Sequence, residues 1–511
     1  MTTHSVGGIR LDDLLVEGVT RSGDDIVLSG SGLDMSGLEM LAVARQVAEE
    51  LRAARIAAGE AVLLPVSNHP RDVACQLGAW LAGCVPVPVH RAFPAAVAAD
   101  VSRRSGARVA VGVTPESWSA TVDTDAKSAV HPVRAPGAPA PAELDRDQAL
   151  VIFTSGSEGI PKGVVISHRA FATKLAAIDR VLRFRPDERM LQVLHLHFSF
   201  GQWTTLLTLA SGGRVDLVER FSAKDVLDRL AATAYDRIAV VPTMMRMLGS
   251  ALAEPGGDEL LRRLSDSGSP RLWIAGGEPL PAGLGRGFRE MLPASGIADV
   301  FGLSESATSD CILRPDEYDD HSGTIGRPSP GVSVKVMQES VTGFEEVASG
   351  SSGELWISTP YLMTGYLGDP AATAAAIVDG WLRTGDLARI GEGGFVELVG
   401  RAKTLIVRGG TKISPLEVEH LFTAYPGCSG AMAVGLPDEL LGERLHLAMT
   451  AHPGQHIDAD HVREWGRTRI EHHKLPDRVH VFDDLPLGGT GKTDRRGVAR
   501  LVEERLKADG S

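Results

Sequence analysis

Short apolar runs alternate with helix-length stretches along most of this chain, and that rhythm limits the fold more than any other feature. Residues Leu38 to Ala57 carry apolar side chains at helical spacing with charges between them, which predicts an amphipathic helix. Gly59-Glu60-Ala61-Val62-Leu63-Leu64-Pro65 then reads as a short buried strand, Arg71 to Ala82 as a helix, and Gly83-Cys84-Val85-Pro86-Val87-Pro88-Val89 as the next strand. The rhythm resumes with a helix from Ala170 to Leu182, a strand from Met190 to Leu196, an apolar helix from Phe198 to Ser211 and a strand over 212–218. Two more units follow, Ala223 to Thr233 into 238–241 and Thr243 to Leu252 towards 272–274, and the pattern runs to about residue 335. Strands this apolar are buried on both faces, and strand–helix–strand order packs them as a parallel sheet with crossover helices.

The pattern then changes. From Val332 to Glu397 it is strand-rich with glycine turns, predicting a smaller β subdomain; from Leu405 onward a separate alternation predicts a compact lid. Asp123 to Ala142, rich in Ala, Pro and Val, reads as a surface connection. A net charge of −13 over 511 residues argues against a nucleic-acid binder, which would carry a basic face. Cys75, Cys84, Cys311 and Cys428 form no Cys-x-x-Cys pair, so the expectation is four small buried hydrophobes rather than structural zinc or a disulfide framework. Met1 to Val16 lacks a secretory pattern and no apolar run reaches about 18 residues, so the expectation is a cytoplasmic protein without stable membrane insertion.

Between the apolar runs Ala149-Leu150-Val151-Ile152-Phe153 and Val164-Val165-Ile166 lies Thr154-Ser155-Gly156-Ser157-Glu158-Gly159-Ile160-Pro161-Lys162-Gly163. Two strands joined by small hydroxylic residues make a hairpin whose tip can wrap an anion. Glycine admits close backbone N–H approach, hydroxyls donate, and Lys162 adds a compact positive charge. Composition alone suits an ordinary turn equally well, and the spacing is not that of a Walker A loop.

This stretch resembles the Thr-Ser-Gly-Thr-Thr-Gly-x-Pro-Lys-Gly signature of the acyl-adenylate-forming superfamily, which includes acyl-CoA synthetases, nonribosomal peptide synthetase adenylation domains and luciferases. Glu158 stands where Thr is commoner, an awkward charge beside a triphosphate. The resemblance runs from about Val62 to Arg500. It implies an α/β fold with a large N-terminal portion of two α/β subdomains plus a β-barrel-like subdomain, residues 1–402, and a small mobile C-terminal α+β lid, residues 403–511, hinged at Lys403. It also implies activation of a carboxylic acid with ATP, where protein charge compensates the repulsion between two anions.

Site residues follow from the same resemblance. Thr154, Ser155, Gly156, Ser157, Gly159 and Lys162 would cradle phosphate. Gly276, Gly277 and Glu278, in Ala275-Gly276-Gly277-Glu278-Pro279-Leu280, would line the adenine and acyl pockets. In Phe301-Gly302-Leu303-Ser304-Glu305, Phe301 would stack on adenine, Ser304 would meet the α-phosphate and Glu305 would hold Mg2+. Ser306 occupies the second glycine position of a nucleophile elbow, which removes the hydrolase reading. Asp386 would accept from the ribose hydroxyls, with Arg401 on the ribose or phosphate side. Arg408, Gly409 and Gly410 would face the thiol arm, and Lys492, in Gly489-Thr490-Gly491-Lys492, would bridge the acid and ATP during adenylation.

The run Phe198-Ser199-Phe200-Gly201-Gln202-Trp203 aligns with the amino-acid-activating branch's Phe-Asp-x-Ser-x-Trp, in which the Asp pairs with the substrate ammonium. Ser199 cannot compensate a desolvated positive charge, so the expected substrate is an aryl or acyl acid without an amino group there. Phe198, Ser199 and Trp203 are pocket candidates; His197 is either a fourth or a packed core histidine. The cofactors and partners implied are ATP, Mg2+, a small carboxylic acid, and CoA or the phosphopantetheine of a separate carrier protein, since no carrier module follows residue 500. A nitrogen nucleophile is the third possible acceptor.

Overall fold

The computed structural model describes residues 9–114, 116–118, 128–133, 144–154, 161–340, 343–487 and 493–509. Among them, nine strands form the largest sheet, in the order Arg327–Pro328, Cys311–Leu313, Gly296–Phe301, Leu272–Gly276, Arg237–Val240, Arg189–Gln192, Arg214–Leu217, Ile26–Gly30 and Leu33–Ser36. The six strands from Gly296–Phe301 to Ile26–Gly30 are mutually parallel and the edges are antiparallel. Crossover helices Ser199–Ala210, Ala223–Ala232 and Pro242–Leu252 fall where the alternating pattern puts them. A four-stranded sheet is built on the parallel pair Ala61–Val66 and Val85–His90, joined by the helix Pro70–Leu81.

Two departures from the sequence reading are instructive. The helix Leu11–Ser22 and the strands Ile26–Gly30 and Leu33–Ser36 precede the first element recognised by pattern and complete the large sheet; Gly18 packs so closely on Leu209 and Ala210 that a Cβ there would sit 2.2 Å from the Leu209 carbonyl oxygen. Within the expected surface connection, Val130–Pro132 is a strand, paired antiparallel with Val109–Val111. The rest of that segment largely lies outside the described residues.

The hairpin is present as expected. Gln148–Thr154 pairs antiparallel with Lys162–Ser167, setting Thr154 opposite Lys162 at the end where the chain passes from one strand to the other. The strand-rich segment forms a six-stranded sheet, in which Trp381–Ile390 pairs with Gly353–Ser358, Ile377–Val378 and Val396–Arg401; this is the smaller β subdomain that the pattern predicts there. After Val396–Arg401, the turn Ala402–Thr404, which holds Lys403, leads into the five-stranded lid sheet. The lid has its own apolar core, with Ile413, Val418, Phe422, Leu447 and Val462 buried together.

All four cysteines are free and buried, and burial pushes the Cys75 and Cys84 thiols up to about 12. No helix among the described residues is long and apolar enough to cross a membrane.

Candidate active site

A cleft of about 2300 Å³ is lined from both sides, by the strand ends of the large sheet and by the lid. The carboxyl ends of parallel strands are where crossover topology leaves a crevice. Here they deliver Gly277 and Glu278 just beyond Leu272–Gly276, and Asp299, Val300 and Phe301 from Gly296–Phe301. Thr154 and Lys162 reach the cleft from the hairpin, and Asp386 and Arg401 from adjacent strands in the six-stranded sheet, paired directly across the ladder.

The backbone is shaped for this. Gly277 holds φ of +81°, a conformation L side chains avoid. Gly302 lies against the following loop, where a Cβ would meet the Ser309 nitrogen at 2.0 Å. The next residues form a short 3₁₀ turn, Ser304–Ser306. Ser304 Oγ lies 3.0 Å from Ser199 Oγ, so the expected phosphate contact and the expected acid pocket meet at one hydrogen bond. Tyr366 donates to Glu305 Oε1 at 2.8 Å, and Lys162 Nζ lies 4.7 Å from the Tyr366 ring centre.

Asp386 is the most telling side chain. Arg401 Nε donates to its Oδ1 at 2.7 Å, whereas Oδ2 is buried with no hydrogen-bond partner. Burial raises the carboxyl's pKa, and Arg401 beside it only partly offsets that. A buried acceptor without a donor is costly unless a ligand supplies one. Asp299, also buried at the cleft wall, has its carboxyl pushed well above the ordinary range by burial.

Phe198, Ser199 and Gly277 line the cleft as expected. Trp203 does not. It is fully buried behind the wall, with its ring stacked on Phe200 at 5.7 Å, and Phe200 is the member of the pair that faces the cavity. Gly276 lies beneath that ring, where a Cβ would come within 3.1 Å of Phe200 Cε1. His197 packs against His90, Phe93, His195 and Phe198, and burial lowers its pKa; His195 is the imidazole at the cavity wall, pushed down to about 4 by burial. Glu278 accepts from Thr243 Oγ1 at 3.0 Å and lies 3.9 Å from Arg246, two cleft residues that carry no sequence motif.

In the lid, Leu487, Thr493 and Arg495, which flank the lysine motif, face the cleft, and Thr493 Oγ1 approaches Thr243 Oγ1 of the body at 3.5 Å. Lys492 itself lies outside the described residues, as do Ser155, Gly156, Ser157, Glu158 and Gly159. Lys403 also lines the cleft. Arg408 is turned to the lid interior, donating to Asp477 at 2.6 Å and to the His473 and Leu475 carbonyls, and it is absent from the cleft wall together with Gly409 and Gly410.

Among the described residues no cluster of three or more His, Cys, Asp or Glu side chains could hold a metal. Mg2+ carried on a nucleotide needs only one or two protein carboxylates, the rest being phosphate oxygens and water, and Glu305 at the cleft wall fits that requirement.

A family model described as AMP-binding enzyme matches residues 15–367, and another, AMP-binding enzyme C-terminal domain, matches residues 417–492. The chain belongs to the AMP-binding enzyme family. Feruloyl-CoA synthase of an Amycolatopsis species is 31% identical over 467 residues, covering 89% of this chain and 91% of that protein. The fatty acid–[acyl-carrier-protein] ligase ScoC of Streptomyces coeruleorubidus is 29% identical over 486 residues, 88% of each chain. Among solved structures, amide bond synthetase McbA from Marinactinospora thermotolerans matches with a TM-score of 0.79 at 26% identity, covering 96% of this chain and 99% of that one. The first match lies in the part of the chain that contributes the large sheet to the cleft, and the second in the part that contributes the five-stranded sheet.

Proposed function

We propose that this AMP-binding enzyme joins a carboxylic acid lacking an α-amino group to ATP, releases pyrophosphate, and passes the acyl group to the thiol of CoA. The observation that carries this reading is the unpartnered Oδ2 of Asp386, buried in a cleft that also presents Lys162, Ser304 and Glu305. A ribose diol supplies the missing donor. In the first step a carboxylate oxygen bonds to the α-phosphorus as the bond to pyrophosphate breaks. Both reactants are anionic, so the protein's work is charge compensation and alignment.

Lys162, with the hairpin tip of Ser155, Gly156, Ser157 and Gly159, serves the leaving phosphates; Lys492 bridges carboxylate and phosphate; Ser304 donates to the α-phosphate. Phe301 and Gly302 form the adenine wall, and Arg401 holds Asp386 in place. Glu305 would hold Mg2+, which supplies charge neutralisation on the phosphates when bound. Phe198, Phe200, Ser199 and Gly277 form the acid pocket, and Ser199 in place of a carboxylate favours an acid without an ammonium group.

In the second step sulfur attacks the carbonyl carbon and AMP departs with the former carboxylate oxygen. Arg408, Gly409 and Gly410 reach the reacting centre after the lid, residues 403–511, turns about Lys403. The position of Arg495 and Thr493 at the cleft suits the first step. A separate carrier protein as acceptor is the second reading, favoured by the likeness to ScoC along nearly the whole chain. Four buried free cysteines suit a reducing cytoplasm.

The test is Lys492→Ala. Acid-dependent pyrophosphate release is expected to fall by at least about 100-fold, the scale of losing one transition-state contact, while thioester formation from supplied acyl-AMP stays near the wild-type rate. Equal loss of both steps contradicts the assignment.

A further inference from the structure

Beneath the turn that presents Ser304 and Glu305 lies an ion pair with no exposure to solvent. Lys174 Nζ, from the helix His168–Leu182, donates to Asp310 Oδ1 at 2.9 Å, and both side chains are 0% exposed. The other carboxylate oxygen, Oδ2, accepts from the Ser306 hydroxyl and from the Leu303 backbone N–H at 3.4 Å. Ser306 and Leu303 bracket Ser304 and Glu305, both of which face the cleft. The Asp310 carbonyl also accepts from Ser329 N–H at 2.8 Å, and Lys174 Nζ lies 5.1 Å from the Tyr361 ring centre, so the pair is fixed from several elements at once.

The backbone it braces is strained. Ala307, Thr308 and Ser309 hold φ of 55°, 75° and 47°, three consecutive non-glycine residues in the left-handed region, one of them β-branched. Such a turn persists only where its surroundings over-determine it. A buried ion pair is a poor way to gain stability, since apolar residues of similar volume often do as well, but it is directional and cannot slide. Its two carboxylate oxygens have separate tasks: one anchors to the helix, the other grips the turn.

We infer that Lys174 and Asp310 are positioning residues for adenylation, holding the 303–306 turn so that Ser304 and Glu305 keep their places at the nucleotide. The inference rests on the proposed function for the roles of those two side chains.

The decisive variant is the double replacement Lys174→Met with Asp310→Asn, which removes both charges and leaves no unpaired ion. Three quantities are read: melting temperature of the free protein, the Mg–ATP concentration giving half of the ATP-induced rise in melting temperature, and kcat and KM for ATP and for the acid in pyrophosphate release. The expected result is a free-protein melting temperature within a few degrees of wild type, at least a tenfold rise in the Mg–ATP requirement by both readouts, and less than a threefold change in KM for the acid. Ser306→Ala, which removes the hydroxyl that joins the turn to Asp310 and leaves the ion pair and the Leu303 N–H contact in place, is expected to raise the Mg–ATP requirement severalfold with the melting temperature within a few degrees of wild type.

A double variant that recovers stability together with wild-type Mg–ATP dependence shows a purely structural pair and overturns the inference. So does a Ser306→Ala protein indistinguishable from wild type when the double variant fails to fold. Wild-type protein that responds thermally to Mg–ATP but releases no pyrophosphate with any acid removes the proposed function instead; the thermal readout still judges the pair.

Discussion

Asp310 and Asp386 are both buried acids, each with a cation beside it, and burial raises the pKa of each. They differ in what their second oxygen does. Asp310 Oδ2 is satisfied by Ser306 and Leu303, and its partner Lys174 is 0% exposed. Asp386 Oδ2 has no partner, and its cation, Arg401, is 54% exposed at the cleft. A buried charge with every lone pair engaged is scaffold; one with an oxygen left over at a cavity wall is a recognition element. On the proposed function the same side chain thus does opposite jobs around one cleft, and the distinction between the two buried carboxylates lies in hydrogen-bond accounting.

The largest effect that would break this comparison is on stability. Lys174→Met alone leaves the Asp310 carboxylate buried and unpaired, which is expected to cost about 3–5 kcal/mol. Denaturant unfolding measures it; a cost below about 1 kcal/mol would put Asp310 in the same class as Asp386. Next in size is Asp386→Asn. Loss of a charged acceptor for the ribose hydroxyls is expected to raise KM for ATP about 10- to 100-fold, with unfolding of the free protein little changed. A stability loss without an ATP effect would reverse the roles.

The smallest effect concerns pH. The Asp386 carboxyl is held above the ordinary carboxylate value by burial, with Arg401 pulling it down. Falling pH therefore protonates this acceptor sooner than an exposed carboxylate, and ATP affinity weakens on the acid side. Removing the cation with Arg401→Leu lets the carboxyl rise further, so the acid limb of ATP affinity moves to higher pH; in Asp386→Asn this contribution to the limb disappears. Titration of KM for ATP in the three proteins checks the sign. An acid limb that stays put in Arg401→Leu separates the two residues.

Much of the body was legible because its strands are short apolar runs and its helices are periodic, so elements such as Pro70–Leu81 and Pro242–Leu252 fall within a residue or so of the sequence expectation. Leu11–Ser22 and the two strands after it were not, because their burial comes from packing on Ser199–Ala210 and pairing with Arg214–Leu217, far along the chain. Motif residues such as Phe301, Ser304, Glu305 and Asp386 were recognisable from local spacing. Lys174 and Asp310 were not, since each is an ordinary charge until residues 136 positions apart meet in the interior. Tyr366 escaped for the same reason, its hydroxyl reaching Glu305 from 61 positions away. His195 and His197 would share a face on a regular strand; the turn at 196–197, beyond the strand Arg189–Gln192, is what leaves His195 at the cavity wall and His197 packed behind it, and local spacing does not reveal that turn.

The central claim is that this cleft makes an acyl–AMP anhydride. A panel of aryl and acyl acids, incubated with the wild-type protein, ATP and Mg2+ but no thiol, tests it most directly, with pyrophosphate counted and the adenylate identified by mass. Release of pyrophosphate matched by an enzyme-bound acyl-AMP, discharged when CoA or a carrier thiol is added, is the predicted result. ATP binding with no acid-dependent anhydride across the panel contradicts it.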